Sequence, residues 1–157
     1  MIGALTGLTG SVLVLVQARN SQKAIEEARQ SDVRREAYAE VGTSFLSFKT
    51  EILGVRNFIV QGTTATERQH QYNVKYIPSY AQLQQADMTA RLVATESGKK
   101  ALAKAIPYRE KLKDMIAVAY RSEQLDGNKF TKEFDTALMR YEQMIQTIMD
   151  QVDEEVL

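Results

Sequence analysis

Tyr38, Val41, Phe45, Phe48, Ile52, Val55 and Ile59 recur at alternating steps of three and four residues. That is the rhythm of a helix with one apolar stripe, and it excludes a strand, whose faces alternate at every second residue. A stripe this regular must be buried against other helices, because an isolated helix in water draws most of its stability from such packing. The rest of the chain supplies the partners.

The first helix is expected to end at Gln61, with Gly62-Thr63-Thr64 as its turn and Thr66 with Glu67 starting the next. A second helix over residues 66–96 carries Tyr72, Tyr76, Tyr80, Leu83, Ala86, Ala90 and Val93 on its inner side. Pro78 falls inside it and predicts a kink, since proline lacks a backbone donor and crowds the preceding turn. Glu96-Ser97-Gly98 reads as the next break. The third helix then presents Ala101, Ala105, Tyr108, Leu112, Met115 and Ala119, with Pro107 as a second kink. Leu125-Asp126-Gly127-Asn128 reads as a turn with Gly127 at positive φ, before a last helix over 129–156 with Phe134, Leu138, Tyr141, Ile145, Ile148 and Val152. Short connections and heptad spacing predict an all-α fold, an up-down-up-down four-helix bundle over residues 37–157.

The first helix also extends upstream. Residues 1–16, MIGALTGLTGSVLVLV, hold no charged side chain and read as a membrane anchor. The run is shorter than the roughly 20 residues a bilayer core requires, so it is either a short span or a truncated one. It has neither the basic start nor the small-residue cleavage site of a signal peptide. Gly3, Gly7 and Ser11 lie four apart, a face through which two membrane helices approach closely; the alternative is that glycine is simply common in such helices.

Residues 17–36 are rich in opposite charges three or four apart, such as Glu26 with Arg29, and read as a solvated helical stalk. Arg19, Lys23 and Arg29 taken literally keep the bundle cytoplasmic, yet Glu26 and Glu27 are interleaved with them, and a periplasmic bundle on a single-pass inner-membrane anchor is the expectation. The last helix pairs with only the distal part of the first. The stalk then needs either a continuation of the chain past Leu157 or a second subunit. Asp150, Asp153, Glu154 and Glu155 oppose the dipole of a helix C-terminus and favour continuation.

Composition narrows the chemistry. In 157 residues, 20 basic side chains balance 20 acidic ones, which leaves no long-range field for nucleic acid. There is no cysteine, so disulfides, thiolate metal sites and cysteine nucleophiles are excluded together. His70, the single histidine, lies between Gln69 and Gln71 on an exposed face and lacks the partners that a metal site or a proton relay needs. There is no phosphate loop and no diiron carboxylate pattern. No metal and no cofactor is expected, and the chain reads as a non-enzyme.

Arg56 with Asn57, Arg91, and Arg109 beside Tyr108 each flank an apolar stripe. As solvated side chains they do nothing specific. If two or more converge, their forked donors suit a small carboxylate ligand. Tyr72, Tyr76, Tyr80, Tyr108, Tyr120 and Tyr141 are read as core residues with the hydroxyl at the edge, or as the lining of a pocket.

An apolar helix running into a bundle, "LGVRNFIVQG" at Leu53–Gly62, "YIPSYAQLQQ" at Tyr76–Gln85, the break at Glu96-Ser97-Gly98 and the hairpin at Asp126-Gly127-Asn128 together resemble the four-helix-bundle sensor domain of methyl-accepting chemotaxis receptors and related membrane sensor kinases. The resemblance implies a sensory ligand-binding ectodomain that forms a homodimer through its first helix, binds small molecules between helices and transmits binding to a downstream signalling domain. It carries over no ligand-contacting residue. The competing expectation is a membrane-anchored helical assembly subunit that oligomerises without a ligand, held to lipid through residues 1–16.

Overall fold

In the computed structural model, the stripe from Tyr38 to Ile59 lies on one continuous helix, α1 (Leu5–Val60), of 56 residues. The structure describes the backbone of residues 5–62, 64–122 and 125–156, and the side chains of 17–62, 64–122 and 125–150. Every residue of the stripe is buried, Phe48 and Ile52 completely. At roughly 1.5–3 kcal/mol for burying one large apolar side chain, this stripe is a principal source of the fold's stability. The anchor expected at residues 1–16, with Gly3, Gly7 and Ser11, lies outside the described side chains. Among the described residues no helix is long and apolar enough to cross a membrane.

α1 stops where Gly62 takes φ +70°, a conformation that glycine adopts without a Cβ penalty. The next helix, α2 (Ala65–Gln71), starts at a different cap from the expected Thr66. Thr64 Oγ1 accepts from the Glu67 N–H at 3.3 Å, and the Thr64 N–H donates to Glu67 Oε2 at 2.9 Å. This reciprocal pair is a capping box, and the hydrogen bonds from the Thr64 side chain and backbone hold the Glu67 carboxyl below the usual range.

The expected kink at Pro78 is replaced by a wide turn. Residues Tyr72–Tyr76 form a π-helical segment in which the Ile77 N–H reaches back to the Tyr72 carbonyl, and α3 (Ile77–Val93) resumes with Pro78 in its first turn. Proline in a regular helix crowds the carbonyl four residues earlier, and widening that turn relieves the clash.

The break expected at Glu96-Ser97-Gly98 falls earlier, at Ala94-Thr95, where both residues are extended. Thr95 caps α4 (Glu96–Arg121), accepting the Gly98 N–H at 3.1 Å. Gly98 is needed for space: a Cβ there would stand 2.0 Å from the Tyr38 hydroxyl oxygen. α4 continues through Pro107 with no break in its helical run.

Gly127 also departs from expectation. It does not adopt positive φ; it is the first residue of α5 (Gly127–Val156), capped by Asp126, whose Oδ1 accepts the Lys129 N–H at 3.0 Å. A Cβ on Gly127 would meet Val60 Cγ1 at 3.0 Å, so the glycine lets α5 begin against the end of α1.

The described residues are all helical apart from these connections, and the helices form a bundle. α1 packs closely on α3 and α5, and α4 on α5, whereas α3 and α4 approach each other less closely. Phe134, Leu138, Tyr141, Ile145 and Ile148 complete the core from α5 as expected. Val152 lies outside the described side chains.

Candidate functional site: a polar seam between α3 and α4

Where α3 and α4 face each other, long polar side chains span the gap. Asp87 follows Leu83 and Ala86 on the inner side of α3 and is only 8% exposed. One turn later Arg91 returns to it, Nε lying 3.1 Å from Asp87 Oδ2. Arg109, from α4 and 7% exposed, brings Nη1 to 3.5 Å from the same oxygen. The convergence of arginines on a carboxylate is therefore present, but the carboxylate is the chain's own.

A second layer adjoins it. Glu110 accepts from the Tyr80 hydroxyl and the Lys113 ammonium, and lies 3.7 Å from Arg109 Nε. Burial pushes the Glu110 carboxyl up, but the hydrogen bonds from Lys113 and Tyr80 outweigh it and hold it below the usual glutamate range. Burial and the bond to Glu110 push the Tyr80 phenol up, so Tyr80 remains a donor. The Arg109 guanidinium also stands 5.7 Å from the Tyr80 ring centroid, within cation–π range.

From Tyr80 a column of rings runs along the helix. Tyr80 stacks on Tyr76 at 5.6 Å, Tyr76 on Tyr72 at 5.0 Å, and Tyr72 on Tyr120 of α4 at 5.1 Å. The Tyr76 hydroxyl is buried without a hydrogen-bond partner, and desolvation pushes its phenol far up. Tyr141 of α5 is likewise raised by burial, an effect that the nearby Arg109 opposes.

Of the residues expected to form a ligand site, Arg91 and Arg109 meet. Arg56 does not join them: it pairs with Asp135 of α5 and bonds Asn57 Oδ1 through Nε at 3.1 Å. Tyr108 is half-buried against the core. Asp87, Glu110 and Lys113 belong to the seam in addition to those expected residues. The signal for Asp87 was its place on the inner stripe between Leu83 and Ala90, four residues before an arginine.

A second concavity, an open groove of about 680 Å³ between α4 and α5, is floored by Met115, Ala119, Leu125 and Phe130. None of its lining residues is a buried polar group lacking a partner. His70 is exposed, and among the described residues no cluster of three histidine or acidic side chains is placed to hold a metal. Comparison of the chain with protein-family models, with curated proteins and with solved structures finds no match.

Proposed function

We propose that this chain is the sensory ligand-binding module of a membrane receptor, an up-down-up-down four-helix bundle rooted in the inner membrane through residues 1–16, placed on the periplasmic side and acting as a homodimer without catalysis. The observation that carries the reading is the outer face of α1. Opposite the buried stripe, Ser21, Ile25, Ala28, Asp32, Ala39, Thr43, Leu46 and Thr50 follow one another at steps of three or four with a single longer step, and all are exposed. Ile25 is 68% and Leu46 61% exposed. The hydroxyls of Thr43 and Thr50 bond back to the carbonyls of Ala39 and Leu46 at 3.0 Å, which satisfies them within the helix. This face runs from the stalk into the bundle, interrupted by the exposed charges of Arg35 and Glu36, is small or apolar at most steps, and is suited to the same face of a second α1. Ligand binding is supported by the two arginines held between α3 and α4.

The chain has no native cysteine, so single cysteines report contacts cleanly. Ile25→Cys and Leu46→Cys are expected to give disulfide-linked dimers on mild oxidation, and Leu92→Cys, 84% exposed on α3, is expected not to. Sedimentation as a monomer at all concentrations, with no more linkage at position 46 than at 92, would sink the reading. The exposed stalk also fits a membrane-anchored assembly subunit that oligomerises without a ligand. A dimer indifferent to every small molecule tested would favour that alternative.

A further inference from the structure

We infer that the outer face of α3 docks into the α4–α5 groove of a second copy of this chain, a head-to-tail contact that joins copies side by side. The inference goes beyond the function proposed above and uses neither the outer face of α1 nor any ligand. Two surfaces carry it, matched in length, level and charge.

The first is a ridge. From Ile77 to Leu92 every exposed residue of α3 is uncharged, although charged side chains make up 25% of the chain. Asp87 and Arg91, the charged residues of that stretch, are drawn into the polar seam. Val74, Ile77, Ala81, Gln85, Met88 and Leu92 follow one another at steps of three or four, all exposed, which is the pattern of a helix face that packs on other helices. Lys75, beside the ridge, pairs with Glu51 of α1 at 3.5 Å.

The second is the groove, whose apolar floor runs along α4 from Pro107 to Ala119. At about 1.5 Å per residue, Pro107–Ala119 spans about 18 Å and Val74–Gln85 about 17 Å. The two segments lie at one level, since Tyr72 stacks on Tyr120 at 5.1 Å and Tyr80 bonds Glu110. Copies standing side by side at equal height therefore bring Val74–Gln85 opposite the groove, and Val118, 70% exposed at the level of Val74, is covered.

The rim carries both signs, Lys111 and Asp114 from α4 and Lys129 and Glu133 from α5. A charged ridge would be repelled by one sign or the other. An uncharged one is repelled by neither, and the carboxamides of Gln82 and Gln85 can accept from a lysine or donate to a carboxylate. Because ridge and groove are different surfaces, the contact is heterologous: it repeats from copy to copy and leaves Leu92 facing no copy of itself. One helix in one groove is small for an interface, so the contact is weak and needs high concentration.

The test mixes two single-cysteine variants of the full chain, Ala81→Cys on the ridge and Lys111→Cys on the rim, at high concentration with a short bismaleimide. The mixture is expected to give linked dimers. Each variant alone is expected to give none, because neither position meets itself in a head-to-tail contact. Adding Ile77→Glu to the Ala81→Cys chain is expected to abolish linkage, since it sets a carboxylate against the apolar floor. No linkage in the mixture, as much linkage in either variant alone, or linkage untouched by a folded Ile77→Glu would each overturn the docking. Linkage in the mixture from a chain that makes no contact at position 46 supports the docking and removes the α1 pair.

Discussion

Along α1 the bundle is closed by side chains that want nothing from water: Phe48 and Ile52 are fully buried, while the charged pairs with α5, Lys49–Glu142 and Arg56–Asp135, stay on the rim. Between α3 and α4 the closing groups are Asp87, Arg109 and Tyr80, and the charges are inside. The two seams teach different things about stability. Apolar burial is favourable contact by contact. Buried ions must first lose their hydration, and their mutual attraction only roughly returns it, so a polar seam adds selectivity of pairing more than net stability.

The strongest attack on this contrast is Phe48→Ala, which leaves a cavity at the centre of the apolar seam. Chemical denaturation is expected to show a loss of about 3–5 kcal/mol. Asp87→Leu alone is expected to cost nearly as much, about 3 kcal/mol, because it strands Arg109 without its buried counter-charge. Adding Arg109→Met should return most of that loss. If the double variant is as unstable as the single one, the polar seam contributes net stability and the contrast fails.

Gly98→Ala sharpens the comparison where the seams meet the bundle end. The new Cβ collides with the Tyr38 hydroxyl, and a destabilisation of about 1–3 kcal/mol is expected. Tyr38→Phe removes that oxygen and should relieve much of the loss, which a thermal melt of the pair would show.

The smallest effect concerns pH. The folded pKa of Glu110 is lowered, so its contribution is fully present above the ordinary glutamate value and is lost as pH falls through the lower folded one. Because its side chain is one-third exposed, the contribution is about 1 kcal/mol at most. Glu110→Gln should lose that amount at neutral pH and converge with the parent chain as acidification passes below the ordinary glutamate range and through the lowered folded one. Parallel stability curves for the two would remove Glu110 from the seam's electrostatics.

The apolar seam was legible in the sequence because its signal is periodic: Tyr38 to Ile59 and Phe134 to Ile148 are buried at the positions that their spacing assigns. The caps were less so. Thr64 and Thr66 are both competent cap residues, and only the three-residue step from Thr64 to Glu67 separates them. Gly98 and Gly127 were visible as glycines, but what requires each is a neighbour remote in the chain, Tyr38 and Val60. Asp87 falls in phase with Leu83 and Ala90, but a carboxylate on an inner stripe makes sense only once Arg109 arrives from the next helix. Arg56 flanks its stripe as Arg109 does, and nothing local reveals that one meets Asp135 on the rim and the other Asp87 inside.

The wide turn at Tyr72–Tyr76 has a consequence for the rings above it. On a regular helix a row of residues four apart drifts by about 40° at each step, so three such rings would fan out around the axis. A turn holding an additional residue sweeps a smaller angle over the same four positions and takes back that drift. Between Tyr72 and Tyr76, which the wide turn spans, the rings stack at 5.0 Å; Tyr76 and Tyr80, one ordinary turn apart on α3, stack at 5.6 Å. Deleting a single residue between Tyr72 and Tyr76 would restore an ordinary helix there and swing Tyr72 out of line with Tyr76, so the lower end of the column depends on backbone phase as well as on the residues themselves.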